Sequence, residues 1–184
     1  MFHVWVVASR SNSSSVTYSF TRVAHSIASA AFRSGLIPRV KDVRGGLQSN
    51  YCVRLAEFVD GSSNTLMITE DAGRPEFWIA QGRGPNSNNP GGGNLPVRGG
   101  RVRGGGWADP SNSIPLHTFT HNGLRAPGPC AINCTNNNEA YSFHSGGVQA
   151  VFGDGRVRLI SEDINIATYA ALITRAGREI LGEF

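Results

Sequence analysis

Long apolar runs are missing from this chain. No stretch approaches the roughly 20 consecutive apolar residues that a bilayer-spanning helix requires, so the sequence offers no transmembrane segment. The opening Met1-Phe2-His3-Val4-Trp5-Val6-Val7-Ala8 is apolar but short, and no basic residues precede it as they would in a secretory signal. No targeting segment is expected. Charge is sparse as well, at 16% of residues, and acids are the scarcer sign: 13 Asp+Glu stand against 17 Lys+Arg, for a formal charge of +4. That balance hints at an anionic partner, although a mildly basic soluble domain has the same composition. Also absent are a phosphate-binding glycine loop, a pair of carboxylates at catalytic spacing, and a nucleophile with an adjacent base. The chain is therefore not expected to be an enzyme.

Glycine, by contrast, is abundant, with 23 in 184 residues, a length that fits one domain with a real core. Residues 82–106 hold ten of these glycines, three prolines, four arginines (Arg83, Arg98, Arg101 and Arg103) and no acid. So little there can be buried that the stretch reads as a mobile surface loop, dispensable for folding. Its Arg-Gly-Gly pieces suit nucleic-acid phosphates, so a nucleic-acid-binding protein using this loop and the basic N-terminal arm is the alternative reading, but the aromatic residues that would stack on bases are not interleaved.

Residues 1–54 carry seven basic residues against the single acid Asp42. Ser11 to Ser15 reads as linker. Phe20, Val23, Ala24, Ile27 and Ala31 fall on one helical face, with Gly35 as a stop and Pro38 preventing continuation, so one amphipathic helix is expected. Such a helix could lie on an acidic membrane or, more plainly, pack on its own domain.

The organising stretch is residues 139–184. Val148, Ala150 and Phe152 alternate with Gln149, Val151 and Gly153; after Asp154-Gly155, Val157 and Leu159 alternate with Arg156 and Arg158. This predicts a hairpin. With Asp154-Gly155 as a two-residue turn, Phe152 would face Val157, Ala150 would face Leu159 and Val148 would face Ser161. Ile166, Tyr169, Ala170, Ile173 and Ala176 then recur at helical spacing, with Asp163 or Asn165 as N-cap and Gly177 as the stop. Upstream, Leu66-Met67-Ile68 and Phe77-Trp78-Ile79-Ala80 read as strands. The fold expected is α+β: antiparallel strands between residues 55 and 162, covered on one face by the C-terminal helix.

His144, nine intervening residues, Asp154-Gly155, a short helix and a Gly-Glu-Phe ending resemble the C-terminal domain of a large family of bacterial pilin-like proteins, also labelled family-10 extracellular solute-binding proteins. Residues 58–70 (FVDGSSNTLMITE) and 128–134 (GPCAINC) resemble further pieces of that family in the same order, so the resemblance covers roughly residues 55–184. It implies a pilin- or pseudopilin-like domain over 55–184, located in the cell envelope or outside the cell and working through contacts with other pilin-like or envelope proteins. Such proteins usually begin with a prepilin leader and a long apolar helix. This chain shows neither, and a genuinely missing leader would make it cytoplasmic.

His117-x3-His121 and Cys130-x3-Cys134 supply four candidate zinc ligands within eighteen residues. The spacing and the extended, proline-flanked chain are unlike a zinc knuckle, and the export implied by the resemblance favours a Cys130–Cys134 disulfide, leaving Cys52 unpaired. Asn136-Asn137-Asn138-Glu139 is rich in oxygen ligands for calcium, without regular spacing. His144 and Asp154 suggest a base with its orienting carboxylate, but the strand between them spans about 20 Å, which puts them at opposite ends of the hairpin. His144 is instead expected to hydrogen-bond near Glu162 or Asp163.

Overall fold

The computed structural model describes residues 8–9, 17–48, 51–104, 113–179, 181 and 184. Their frame is a six-stranded sheet. Strand β1 (Ala8–Ser9) pairs with the start of the long β2 (Thr17–Ile27), which continues antiparallel against β3 (Leu66–Ala72). A four-residue helix, α1 (Ser29–Phe32), follows β2. Two short antiparallel pairs come next: β4 (Trp78–Ile79) with β5 (Gly82–Arg83), and β6 (Ser87–Asn88) with β7 (Val97–Arg98). Strand β8 (Ser113–Leu116) runs parallel to the end of β2. The C-terminal unit is β9 (Gly147–Phe152), β10 (Val157–Ser161) and helix α2 (Ile166–Ile173). The main order is β1-β2-β3-β9-β10, with β8 also on β2. The fold is thus α+β, mostly antiparallel, with a C-terminal hairpin and short helix. No helix among the described residues is long and apolar enough to cross a membrane.

The main core lies between the sheet and α2. Leu66, Val148, Ala150, Phe152 and Ile160 from the strands meet Ile166, Tyr169, Ala170, Leu172 and Ile173 from the helix, all buried. Asn165 caps the helix, its side-chain oxygen accepting from the backbone N–H of Ala167 (2.9 Å) and Thr168 (3.3 Å). The helix ends at Ile173 rather than reaching Ala176, because the chain is drawn onto residues 44–60. The Arg175 amide donates to the Arg44 carbonyl, its guanidinium reaches the Gly45 carbonyl and Glu57, and the Asp60 carboxylate accepts from the amides of Gly177 and Arg178.

Three expectations change. The hairpin register differs by one residue: Val157 pairs with Val151, Leu159 with Gln149, and Ile160 with Val148. The turn is a three-residue one in which the Gly155 amide donates to the Phe152 carbonyl and Gly155 itself adopts φ +85°, so one extra residue sits in the loop. A one-residue shift exchanges faces; Val157 and Leu159 are consequently exposed and Ile160 enters the core. Secondly, the helix expected over residues 20–31 is instead the strand β2, extended by its pairing with β3 on one side and with β1 and β8 on the other. Thirdly, the Gly/Arg-rich stretch is folded through residue 104. Val97 and Val102 join Phe77 and Ile79 in a second small core, with Leu95 and Leu124 packed against it.

Candidate functional site

Buried polar groups organise the junction between the two cores. Asp71, at the end of β3, and Arg74 are ion-paired (Oδ2 to Nε, 3.1 Å), with both side chains fully shielded from solvent. Arg74 also donates to the Asn136 carbonyl (2.7 Å), to the Asn138 side-chain oxygen (3.0 Å) and to the Arg103 carbonyl. The Asn136 amide donates to the carbonyls of Ala72 and Glu76, while its oxygen accepts from the Trp78 N–H. Asn137 donates to the Leu95 carbonyl. The asparagine run considered for calcium is therefore buried, with Asn136 and Asn137 bonded to the chain's own backbone and Asn138 to Arg74.

Glu139 completes the junction. It is buried beside Tyr169 and accepts from the backbone amides of His117 (2.8 Å) and Thr118 (3.0 Å). Burial pushes its carboxyl well above the usual carboxylate range, with the Asp71 charge adding to the effect. Burial pulls the neighbouring His117 down to about 4; its Nδ1 lies 3.9 Å from Glu139. The two groups have opposite signs of linkage. His117 binds its proton less readily folded than unfolded, so its contribution is complete above 6.5 and is lost as pH falls from 6.5 through about 4. Glu139 holds its proton more tightly folded, so its contribution is present below the ordinary value of 4.5 and is lost as pH rises through its elevated folded value. Above pH 6.5 the His117 contribution no longer changes, so of these two groups only Glu139 can lower stability as pH rises further, by at most about 1.4 kcal/mol per pH unit for one proton. Glu139→Gln, whose amide oxygen can accept the same two hydrogen bonds, should remove the Glu139 share of the fall in stability as pH rises above 4.5, read from urea midpoints. An unchanged slope would assign the titration to another group.

The surface face of this junction is an aromatic cleft. Residue Tyr141 runs beside β3, its amide donating to the Glu70 carbonyl and its own carbonyl accepting from Ala72. This places the half-exposed Phe143 ring edge-on to Trp78 (4.9 Å) and Tyr141 (5.7 Å). Gly73, at φ +84°, lies directly against the Trp78 and Phe143 rings, and any side chain there would collide with both. Arg83 stands over Trp78 at 5.3 Å. Trp78, His121, Asn133, Phe143, Glu162 and Asp163 line the cleft, which is about 500 Å³. Asn133 stiffens it by accepting from the Ser142 amide and donating to Glu162 (2.7 Å). Cys130, joined to Cys134 as a disulfide with Cα atoms 6.2 Å apart, forms part of the wall. The exposed Cys52 is free.

His144 lies at one end of β9 and hydrogen-bonds Glu70 (2.9 Å) rather than Glu162 or Asp163. Glu70 also accepts from the Gln149 amide, so the bond ties the turn before β9 to β3. Glu162 is instead taken by Asn133, and its backbone amide by the Gly146 carbonyl. Asp154 lies at the other end, in the hairpin turn, accepting from the Arg156 amide. The four residues weighed for zinc are not brought together as a set: His117 is in the interior, His121 is at the cleft and both cysteines are in the disulfide. Among the described residues no three His, Cys, Asp or Glu side chains form a metal-sized group. Arg83 and Arg101 flank Glu76 (2.9 and 3.7 Å), Arg98 pairs through its backbone with Arg101, and the Arg103 carbonyl serves Arg74.

Local sequence pattern missed Arg74, Asp71 and Glu139 as a buried unit. The available signal was a polar run set between the apolar pairs Ala131-Ile132 and Ala140-Tyr141.

An α+β domain with a structural polar junction and a surface cleft is the class these features define. The chain belongs to the family SBP_bac_10, described as a protein family of unknown function (DUF1559), whose model matches residues 12–167. The match begins well before residue 55 and includes β2. No curated protein and no solved structure matches the chain.

Proposed function

We propose that the chain is a non-enzymatic, pilin- or pseudopilin-like protein of the cell envelope or cell surface that works through protein–protein contacts, with the aromatic cleft as its contact face. The observation that carries this reading is Phe143, a large ring left half exposed yet held rigidly by Trp78 and Tyr141 beside the carboxylates of Glu162 and Asp163. Rigid aromatic anchors beside polar groups are the usual energetic centres of protein interfaces. The Cys130–Cys134 disulfide suits an oxidising compartment. His144 and Asp154 supply hydrogen bonds that hold the two ends of β9, which favours a structural role over an acid–base one.

Two measurements test the proposal. Alkylation of the protein as it exists in its native cells, followed by intact-mass analysis, should modify Cys52 alone before reduction and all three cysteines afterwards; three reactive thiols at the outset would count against an exported protein. A photo-crosslinking residue in place of Phe143 should trap envelope partners that the same residue in place of the exposed Val157 does not. Equal trapping at both positions would remove the cleft as the contact face.

A further inference from the structure

A second concavity lies beside α2, bounded by the segment 37–41 and the turn at 176–179. It is about 830 Å³, within the range of about 300–1,000 Å³ typical of small-molecule sites. Its floor is aliphatic and small: Ala167, Ala170, Ala171 and Ala176 meet Ile37 and Val40. Interiors are ordinarily packed to crystal-like density, so small side chains facing one another across this width leave a trough that the described chain does not fill. Among the described residues lining it there is no aromatic ring, which disfavours a sugar or a base, and Thr168 provides the one hydroxyl.

The rim is charged in one sense. Arg39, Lys41 and Arg178 are exposed and line the groove, and none of them is ion-paired among the described residues. The nearby acid Asp42 is occupied by Arg44 in a two-pronged pair at 2.7 and 2.8 Å. Glu179, the single carboxylate of the lining, is bonded by the Thr174 hydroxyl, and burial shifts it toward its neutral form. Asp60 faces inward to the amides of Gly177 and Arg178. An occupant complementary to this surface has a long aliphatic body and one anionic head. We propose that the groove between residues 37–41 and α2 binds a free long-chain carboxylate, the chain lying over the alanines of α2 and the head held by Arg39, Lys41 and Arg178. Guanidinium groups suit the head because they can engage both oxygens of a carboxylate.

The test uses the full chain and the fluorescent fatty acid cis-parinaric acid, with palmitate as competitor. Saturable binding at one equivalent is expected, displaced by palmitate and not by its uncharged methyl ester. The combined Arg39→Glu and Lys41→Glu changes should weaken binding by about tenfold or more, the scale of one lost charge-assisted hydrogen bond. Ala167→Phe, which fills the floor from a partly exposed helix position, should abolish binding while the thermal midpoint stays within a few degrees of the parent. Failure of parinarate to saturate, or equal competition by the methyl ester, would overturn the proposal. So would indifference to both variants, or attachment to anionic phospholipid vesicles with no binding of the free acid.

Discussion

Replacing Arg74 with methionine should lower stability by about 3–5 kcal/mol, the range found when one partner of a buried ion pair is removed and the other stays behind. The guanidinium is inaccessible to solvent and makes contacts in three directions: the Asp71 carboxylate, the Asn136–Asn138 segment and the carbonyl of Arg103. Methionine approximates the length of the side chain but supplies none of these bonds, so Asp71 would keep a buried charge without its cation. The loss should appear as a lower urea midpoint with little change in slope. A double variant with Asp71→Asn should recover part of the loss, because the two residues are coupled and their effects do not add. A drop below about 1 kcal/mol for Arg74→Met would mean that water enters and solvates the carboxylate, and that the junction is not the dry cluster seen here.

The parts of the fold that were legible in the sequence are those fixed by local pattern. Alternation on either side of Asp154-Gly155 announces β9 and β10, and Asn165 followed by helically spaced apolar residues announces α2. The register was not legible, because Asp-Gly suits both a two-residue turn and a three-residue turn whose last residue is left-handed, and only the second is compatible with the core pairing of Ile160 and Val148. Strand β2 illustrates a different limit. Its apolar residues satisfy a helical spacing, yet Val, Ile, Thr, Tyr and Phe also favour extended chain, and the choice is made by strands more than 40 residues away, roughly at Leu66–Ala72 and Ser113–Leu116. The polar junction was invisible for the same reason. Asn136 bonds carbonyls 60 and 64 positions earlier in the chain, and no local period encodes such a partnership. Of the candidate site, His144 and the cysteines could be named from sequence, whereas the cleft required knowing that Tyr141 runs beside β3 and carries Phe143 to Trp78.

Phe77→Ala should also cost about 3–5 kcal/mol, the usual range for emptying the site of a buried phenylalanine. Composition alone argues otherwise, since the residues that follow are largely Gly, Asn, Pro and Arg and read as a segment whose removal would leave stability unchanged. In the structure Phe77 is 1% exposed and is surrounded by Ile79, Val97 and Val102. The backbone of Gly84 lies against its ring so closely that a methyl group at that position would overlap it. The Phe77 amide and carbonyl are spent on Gly100 and Gly84, so the ring sits where both short hairpins meet. Because Ala80 bonds the Cys134 carbonyl and Asn136 bonds that of Trp78, loosening this small core should be felt by the main one through residues 134–136. The expected result is one cooperative transition at a lower midpoint, and deletion of residues 86–100 should lower it at least as far. Two separated transitions would show instead that the second core melts alone, and an unmoved midpoint for either variant would restore the reading of this stretch as a dispensable loop.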